Sequence, residues 1–354
     1  MKRTLALLAT AVLVATLSPS AQAQVTKVRV GFSARTISAG AAPFAVATKM
    51  GWFKNDGIEV TVVPLAGSQA SVQNVASREI PFALADVPAL AAARTQGLKA
   101  KIYYTGYQGN IFRLAVPADS SIQKISDLKG KTIGVISMGS GVLFAKAAVA
   151  SAGLDPEKDI KIVVAGEGAQ TAAMVRSKQV DALSQFDTQY AMVENAGIKL
   201  RLLDAGEIDH YPGNGFLALE ETIRTRRKEA VALARGYAKG TIFAINNPEA
   251  AVRILYEVFP QAKPTGKDEA TAVRDDIKVL QARIPNWRLE NAGVKRWGES
   301  SEARCAQYLD FLLKWGVIKE RISVHDLITN ELIDEINTFD SNKVAADAKV
   351  YRFK

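Results

Sequence analysis

The chain has 354 residues, with 45 lysines and arginines against 36 aspartates and glutamates, a formal net charge of +9. Hydrophobic residues make up 48%, too many for a mainly disordered chain, and the length allows about two domains with sizeable cores. The single cysteine, Cys305, excludes an intramolecular disulfide, and two histidines, His210 and His325, leave little for a zinc site or histidine-based catalysis.

The first residues read as an address. Lys2 and Arg3 precede an apolar run over 5–17, and Ser18, Pro19 and Ser20 break it before the small-x-small site Ala21-Gln22-Ala23. This is the layout of a cleavable signal peptide over 1–23, and the apolar run is short for a membrane span. Gln24 stands where a lipoprotein would need a cysteine. Removing the segment takes away two positive charges and leaves +7. The remaining basic residues are interspersed with acids. The densest cluster, 224–228, reads as an exposed helix start, so no nucleic-acid partner is expected.

The pattern then alternates. Residues 28–32 are β-branched and alternate in polarity, which predicts a strand; 43–50 predict a helix closed by Gly51. A strand over 58–63 ends at Pro64, and Gly67-Ser68 opens a helix to Val75 with Ser68 as its N-cap. Strands over 80–85 and 101–105 flank an alanine-rich helix over 87–96. The rhythm repeats with strands over 112–116, 133–136, 160–164, 180–184 and 200–203, and helices after Gly141 and over 169–177. Residues 210–215 are irregular and 216–219 predict a returning strand. Such alternation argues a mainly parallel sheet covered on both faces. From Thr225 the pattern is helical: Val231, Ala234, Ala238, Ile242 and Ile245 share one face, as do Tyr308, Phe311, Leu312 and Trp315. Two α/β units without a flexible linker imply a cleft between them.

Several segments carry a family signature. Ala42-Pro43-Phe44 is followed by the run from Lys49 to Val60 with Gly51-Trp52-Phe53 and Asp56-Gly57-Ile58-Glu59-Val60. Residues 75–85 form a second motif, with Arg78 in place of the usual glycine and Pro81 in place of the usual aspartate. Ile125-Ser126-Asp127-Leu128-Lys129-Gly130-Lys131 and Gln179-Val180-Asp181-Ala182 complete it. Taken in order, these segments resemble periplasmic substrate-binding proteins of ABC importers, in the nitrate/sulfonate/taurine and thiamine-pyrimidine-precursor group. The resemblance implies an α/β, two-lobed type II periplasmic binding fold with a helical C-terminal extension. It implies a first lobe of 25–112 plus 217–354, a second of 117–209, and hinge strands at 113–116 and 210–216. It also implies a periplasmic, monomeric protein that closes on a small-molecule ligand and docks on an inner-membrane permease.

Ligands of open α/β sheets sit beyond the carboxyl ends of strands. That rule selects Ser33, Arg35, Thr36 and Ser38 after the first strand, Gly67 and Ser68 after the second, Asp86 after the third and Tyr107 after the fourth. In the second unit it selects Ser137, Ser140 and Gly141, then Phe186 and Asp187. The Ser137–Gly141 turn opens a helix whose free N–H groups suit an anion, although the same turn also reads as an ordinary helix start. Asp86 and Asp187 read either as helix caps or as acceptors for a ligand's donors. Arg35 suits a carboxylate or sulfonate, with Arg113 a further candidate. Tyr107, Phe186 and Tyr211 suit stacking on a flat ligand, or core packing.

No G-x-S-x-G elbow and no HExxH pairing occurs, and Cys305 falls in an apolar helix, so no enzyme, cofactor or metal is expected. A secreted hydrolase on the same fold is the rival from another class. Arg35, the Ser140 helix start and the net charge favour an organic anion, sulfonate or carboxylate. Asp86, Asp187, Tyr107 and Phe186 favour the alternative, a pyrimidine-type thiamine precursor.

Overall fold

β-Branched and aromatic runs supply the strands of two sheets in the computed structural model, which describes residues 25–353. The first sheet holds β1 (Thr26–Phe32), β2 (Ile58–Pro64), β3 (Phe82–Ala85) and β4 (Ala100–Thr105). The second holds β5 (Phe112–Pro117), β6 (Lys131–Val135), β7 (Ile160–Val164), β8 (Ala182–Phe186) and β9 (Leu200–Leu203). The chain then returns to the first sheet as β10 (Gly215–Leu219). The proposed signal segment, 1–23, lies outside the described residues.

The strand orders are β2-β1-β3-β10-β4 and β7-β6-β8-β5-β9. In each, the first three strands are parallel, and a fourth, β10 or β5, runs antiparallel between its neighbours. The two lobes are therefore the same construction used twice, each with one strand fed in from the other lobe. The all-but-parallel expectation is modified by this one strand per sheet.

Residues 113–116, expected as a hinge strand, belong to β5, hydrogen-bonded to β8 and β9 inside the second sheet. The segments that join the sheets are 106–111 and 204–214. The second ends in β10 instead of forming a strand at 210–214.

Several helices were not expected from the sequence, and two of them bear on the site. Asp187–Asn195 follows β8 directly, and Glu269–Trp287 crosses from the C-terminal third to pack on it. The latter starts at Asp268, whose carboxylate accepts the Thr271 N–H, and its Val273, Ile277, Leu280 and Ile284 repeat with helical spacing. Helix Arg227–Asn246 covers the first sheet through Tyr237, Phe243 and its alanines. Helix Glu302–Lys314 buries Cys305, Tyr308, Phe311 and Leu312, as its aromatic stripe predicts. Among the described residues no helix is long and apolar enough to cross a membrane.

Candidate functional site

The carboxyl ends of the parallel strands of both sheets face one narrow cleft, whose space for a water-sized sphere is about 50 Å³. That is below the usual range of small-molecule sites, so a ligand would enter with the cleft opened further. From the first lobe come Ser33, Arg35, Ser38, Gly67, Ser68 and Tyr107; from the second come Ser137, Ser140, Gly141 and Phe186. These ten of the residues selected from sequence share one lining.

Three of the selected residues stand elsewhere. Thr36 is exposed at the rim and donates its hydroxyl to Glu167 Oε2 at 3.1 Å, across the two lobes. Asp86 is buried behind the lining and caps helix Val87–Arg94, accepting the Ala89 N–H at 3.0 Å. Burial pushes its carboxyl above the ordinary value, opposed by the nearby Ser140 hydroxyl and by the Ala89 and Ser68 hydrogen bonds. Asp187 does not border the cleft, because its carboxylate is held by Arg283.

Other local readings shift by a residue or two. Gly67, not Ser68, is the N-cap of helix Ser68–Ala76, and the Ser68 hydroxyl instead accepts the Asp86 N–H at 3.2 Å. Gly67 has φ +93, a backbone that an L side chain rarely adopts. Gly141, in the first turn of helix Ser140–Ser151, lets that helix lie on β8: a Cβ there would sit 2.6 Å from the Ser184 carbonyl. Tyr211 stacks on Tyr308 at 4.6 Å and is core. Arg113 pairs with Asp209 at 3.3 Å, where the chain crosses between the lobes, and does not line the cleft.

The structure adds residues that no local motif marks. Arg283 reaches the cleft from helix Glu269–Trp287, with its guanidinium 4.2 Å from the Tyr107 ring centroid and 5.9 Å from that of Phe186. Burial works against its charge, but Asp187 together with Tyr107 and Tyr237 outweighs that and raises its pKa. Phe32, Ile111 and Phe112 complete an apolar wall, and Phe112 meets Phe186 edge-on at 5.8 Å. Asn214, from the second crossing segment, donates to the Ser33 hydroxyl at 3.0 Å. Glu167, after β7, brings a carboxyl whose Oε1 is buried without a hydrogen-bond partner, and Asn214 Oδ1 shares that condition; both residues line the cleft.

Residues 38–251, more than half of the chain, match the family described as NMT1/THI5 like. The chain belongs to that family. Among relatives of this NMT1/THI5-like chain, the riboflavin-binding protein RibY of Chloroflexus aurantiacus is 24% identical over 295 residues, covering 82% of each chain. The formylaminopyrimidine-binding protein of Halalkalibacterium halodurans is 20% identical over 295 residues, 82% of this chain and 83% of that one. Among solved structures, the alkanesulfonate-binding protein SsuA from Xanthomonas axonopodis pv. citri superposes with a TM-score of 0.65 at 17% identity, covering 87% of this chain and 99% of that one. The NMT1/THI5-like chain thus has the fold of periplasmic binding proteins.

Proposed function

We propose that the protein captures a flat, N–H-bearing heterocycle in the cleft and delivers it, without catalysis, to an inner-membrane ABC permease. In this reading it works as an exported periplasmic monomer, closing by movement about 106–111 and 204–214. The observation that carries the ligand class is Glu167. One carboxyl oxygen is taken by Thr36, and the other is buried at the cleft with no donor. A ring N–H or exocyclic amine supplies a donor; a sulfonate or nitrate supplies none and would bring oxygen against oxygen. The walls of Phe32, Tyr107, Phe112 and Phe186 suit a planar ring. Two relatives whose names state ring ligands, riboflavin and formylaminopyrimidine, support the same class.

An organic anion is the second reading, favoured by exposed Arg35 at the cleft and by the Ser140 helix start. Calorimetry with riboflavin, a formylaminopyrimidine and an alkanesulfonate separates the two. The ring ligand should bind at least about tenfold more tightly than the sulfonate. Glu167→Gln should weaken it about tenfold or more, the scale of a lost charge-assisted hydrogen bond. A parental protein that prefers the sulfonate overturns the heterocycle reading.

A further inference from the structure

Arg283 is buried beside the cleft, on the first-lobe side, and its planar fork is the group best suited to grip a carboxylate or sulfonate. One edge of that fork, Nε with Nη2, is occupied. Nε donates to Asp187 Oδ2 at 2.8 Å and Nη2 to Oδ1 at 2.6 Å. Asn286, one helical turn along from Arg283, donates to Oδ2 at 2.7 Å and fixes the carboxylate from the other side. Tyr107 lies against the face of the guanidinium. The carboxylate comes from the second lobe, at the start of helix Asp187–Asn195, while the arginine comes from helix Glu269–Trp287.

We infer that Asp187 is a specificity-determining residue: an internal anion that takes the Nε–Nη2 edge of Arg283, neutralises its charge and so turns solute anions away from the cleft. An entering sulfonate or carboxylate would have to displace a covalently tethered carboxylate already held by three side-chain contacts. An uncharged ring only has to lie beside the neutral pair. This deepens the heterocycle reading and rests on it for the preferred ligand, but the two fail separately. The parental ranking of ring against sulfonate tests that reading, whereas the change in anion affinity on substitution tests this one.

The experiment measures methanesulfonate binding by calorimetry to the parent, to Asp187→Asn, and to the double variant Asp187→Asn with Arg283→Gln. Freeing the guanidinium should tighten methanesulfonate by about tenfold or more in Asp187→Asn, and the double variant should lose that gain. A folded Asp187→Asn protein with no gain overturns the inference, as does a double variant that keeps the gain. Should Asp187→Asn not fold, the double variant is compared with the parent directly. Methanesulfonate affinities within about twofold support the inference, since the parental arginine then contributes nothing to the anion; a fall of about tenfold or more shows that it already reads anions, and overturns it.

Discussion

Strand β3 leads into a helix whose N-cap is Asp86, and β8 leads into one whose N-cap is Phe186, with Asp187 as its first residue. The two turns occupy the same place in their lobes. Val30 pairs with Phe82 and Ile133 with Ala182, so the strands start in the same register, and both N-caps are extended, at φ −87 and −110. The aspartates differ by one position. At the N-cap a carboxylate bends back onto its own helix, and Asp86 takes the Ala89 N–H. One residue later Asp187 still accepts the Thr188 N–H at 2.6 Å but also reaches Arg283 and Asn286 on a helix of the other lobe. A single-residue step thus turns a local cap into a contact between lobes, and leaves the vacated N-cap to Phe186, which lines the cleft.

The comparison is broken most directly by removing each carboxylate. Asp187→Ala leaves Arg283 buried and unpaired, which should cost about 3–5 kcal/mol. Asp86→Ala loses a cap, which should cost about 1–2 kcal/mol. Urea midpoints at constant m-value report both, and an Asp86→Ala protein less stable than Asp187→Ala would show that the two aspartates have been assigned the wrong way round. The shared pleat gives a matched pair of intermediate effects. A Cβ on Gly31 would sit 2.8 Å from Ala83 Cβ, and one on Gly134 would sit 2.9 Å from Ala165 Cβ, with no flexible end to yield. Gly31→Ala and Gly134→Ala should each cost about 1–3 kcal/mol by overpacking. A cost confined to one of them would mean that the lobes are not built alike.

Asp86 also sets a pH dependence. Burial raises its carboxyl in the folded state, so the folded protein holds that proton more tightly than the unfolded chain does. Measured against Asp86→Asn, which keeps an acceptor for Ala89, parental stability should be greatest at the acid end. It should fall as pH climbs from the ordinary carboxyl value through the raised one, then level off. A difference that grows with pH would mean that Asp86 is stabilised as a carboxylate, as a ligand-facing group with a cationic partner would be.

Much of this was legible in the sequence because it is local. Strand and helix signals placed β2, β7 and β9 to within a residue, and the rule of strand carboxyl ends gathered Ser33, Gly67, Tyr107, Ser137 and Phe186 into one lining. What was missed is non-local. Asp187 and Arg283 are 96 residues apart, and nothing near either position says that they meet. Glu167 lies in a Gly-Glu-Gly stretch after β7 that reads as plain loop, and only the approach of Thr36 and the cleft give it a role. Helix Glu269–Trp287 did carry a readable apolar spacing, but its charged faces and Pro285 obscured it.

The smallest effect lies where each lobe's helix turns into its next strand. Arg78 and Lys178 each stand two residues after a helix, Ser68–Ala76 and Ala169–Arg176, with φ of +64 and +56. Left-handed backbone costs an L-residue about 1–2 kcal/mol, and glycine gives back part of that gain, about 0.5–1 kcal/mol, in unfolded-chain entropy. Lys178→Gly should therefore stabilise by a few tenths to about 1 kcal/mol. Arg78→Gly relieves the same strain but gives up the exposed ion pair to Glu221 at 2.8 Å, so its gain should be the lesser of the two. Thermal midpoints in low and high salt separate the contributions. Salt screens the Arg78 pair and should bring the two substitutions together. If Lys178→Gly destabilises, the left-handed turn is being held by something other than the shared backbone path, and the likeness of the two lobes ends at their sheets.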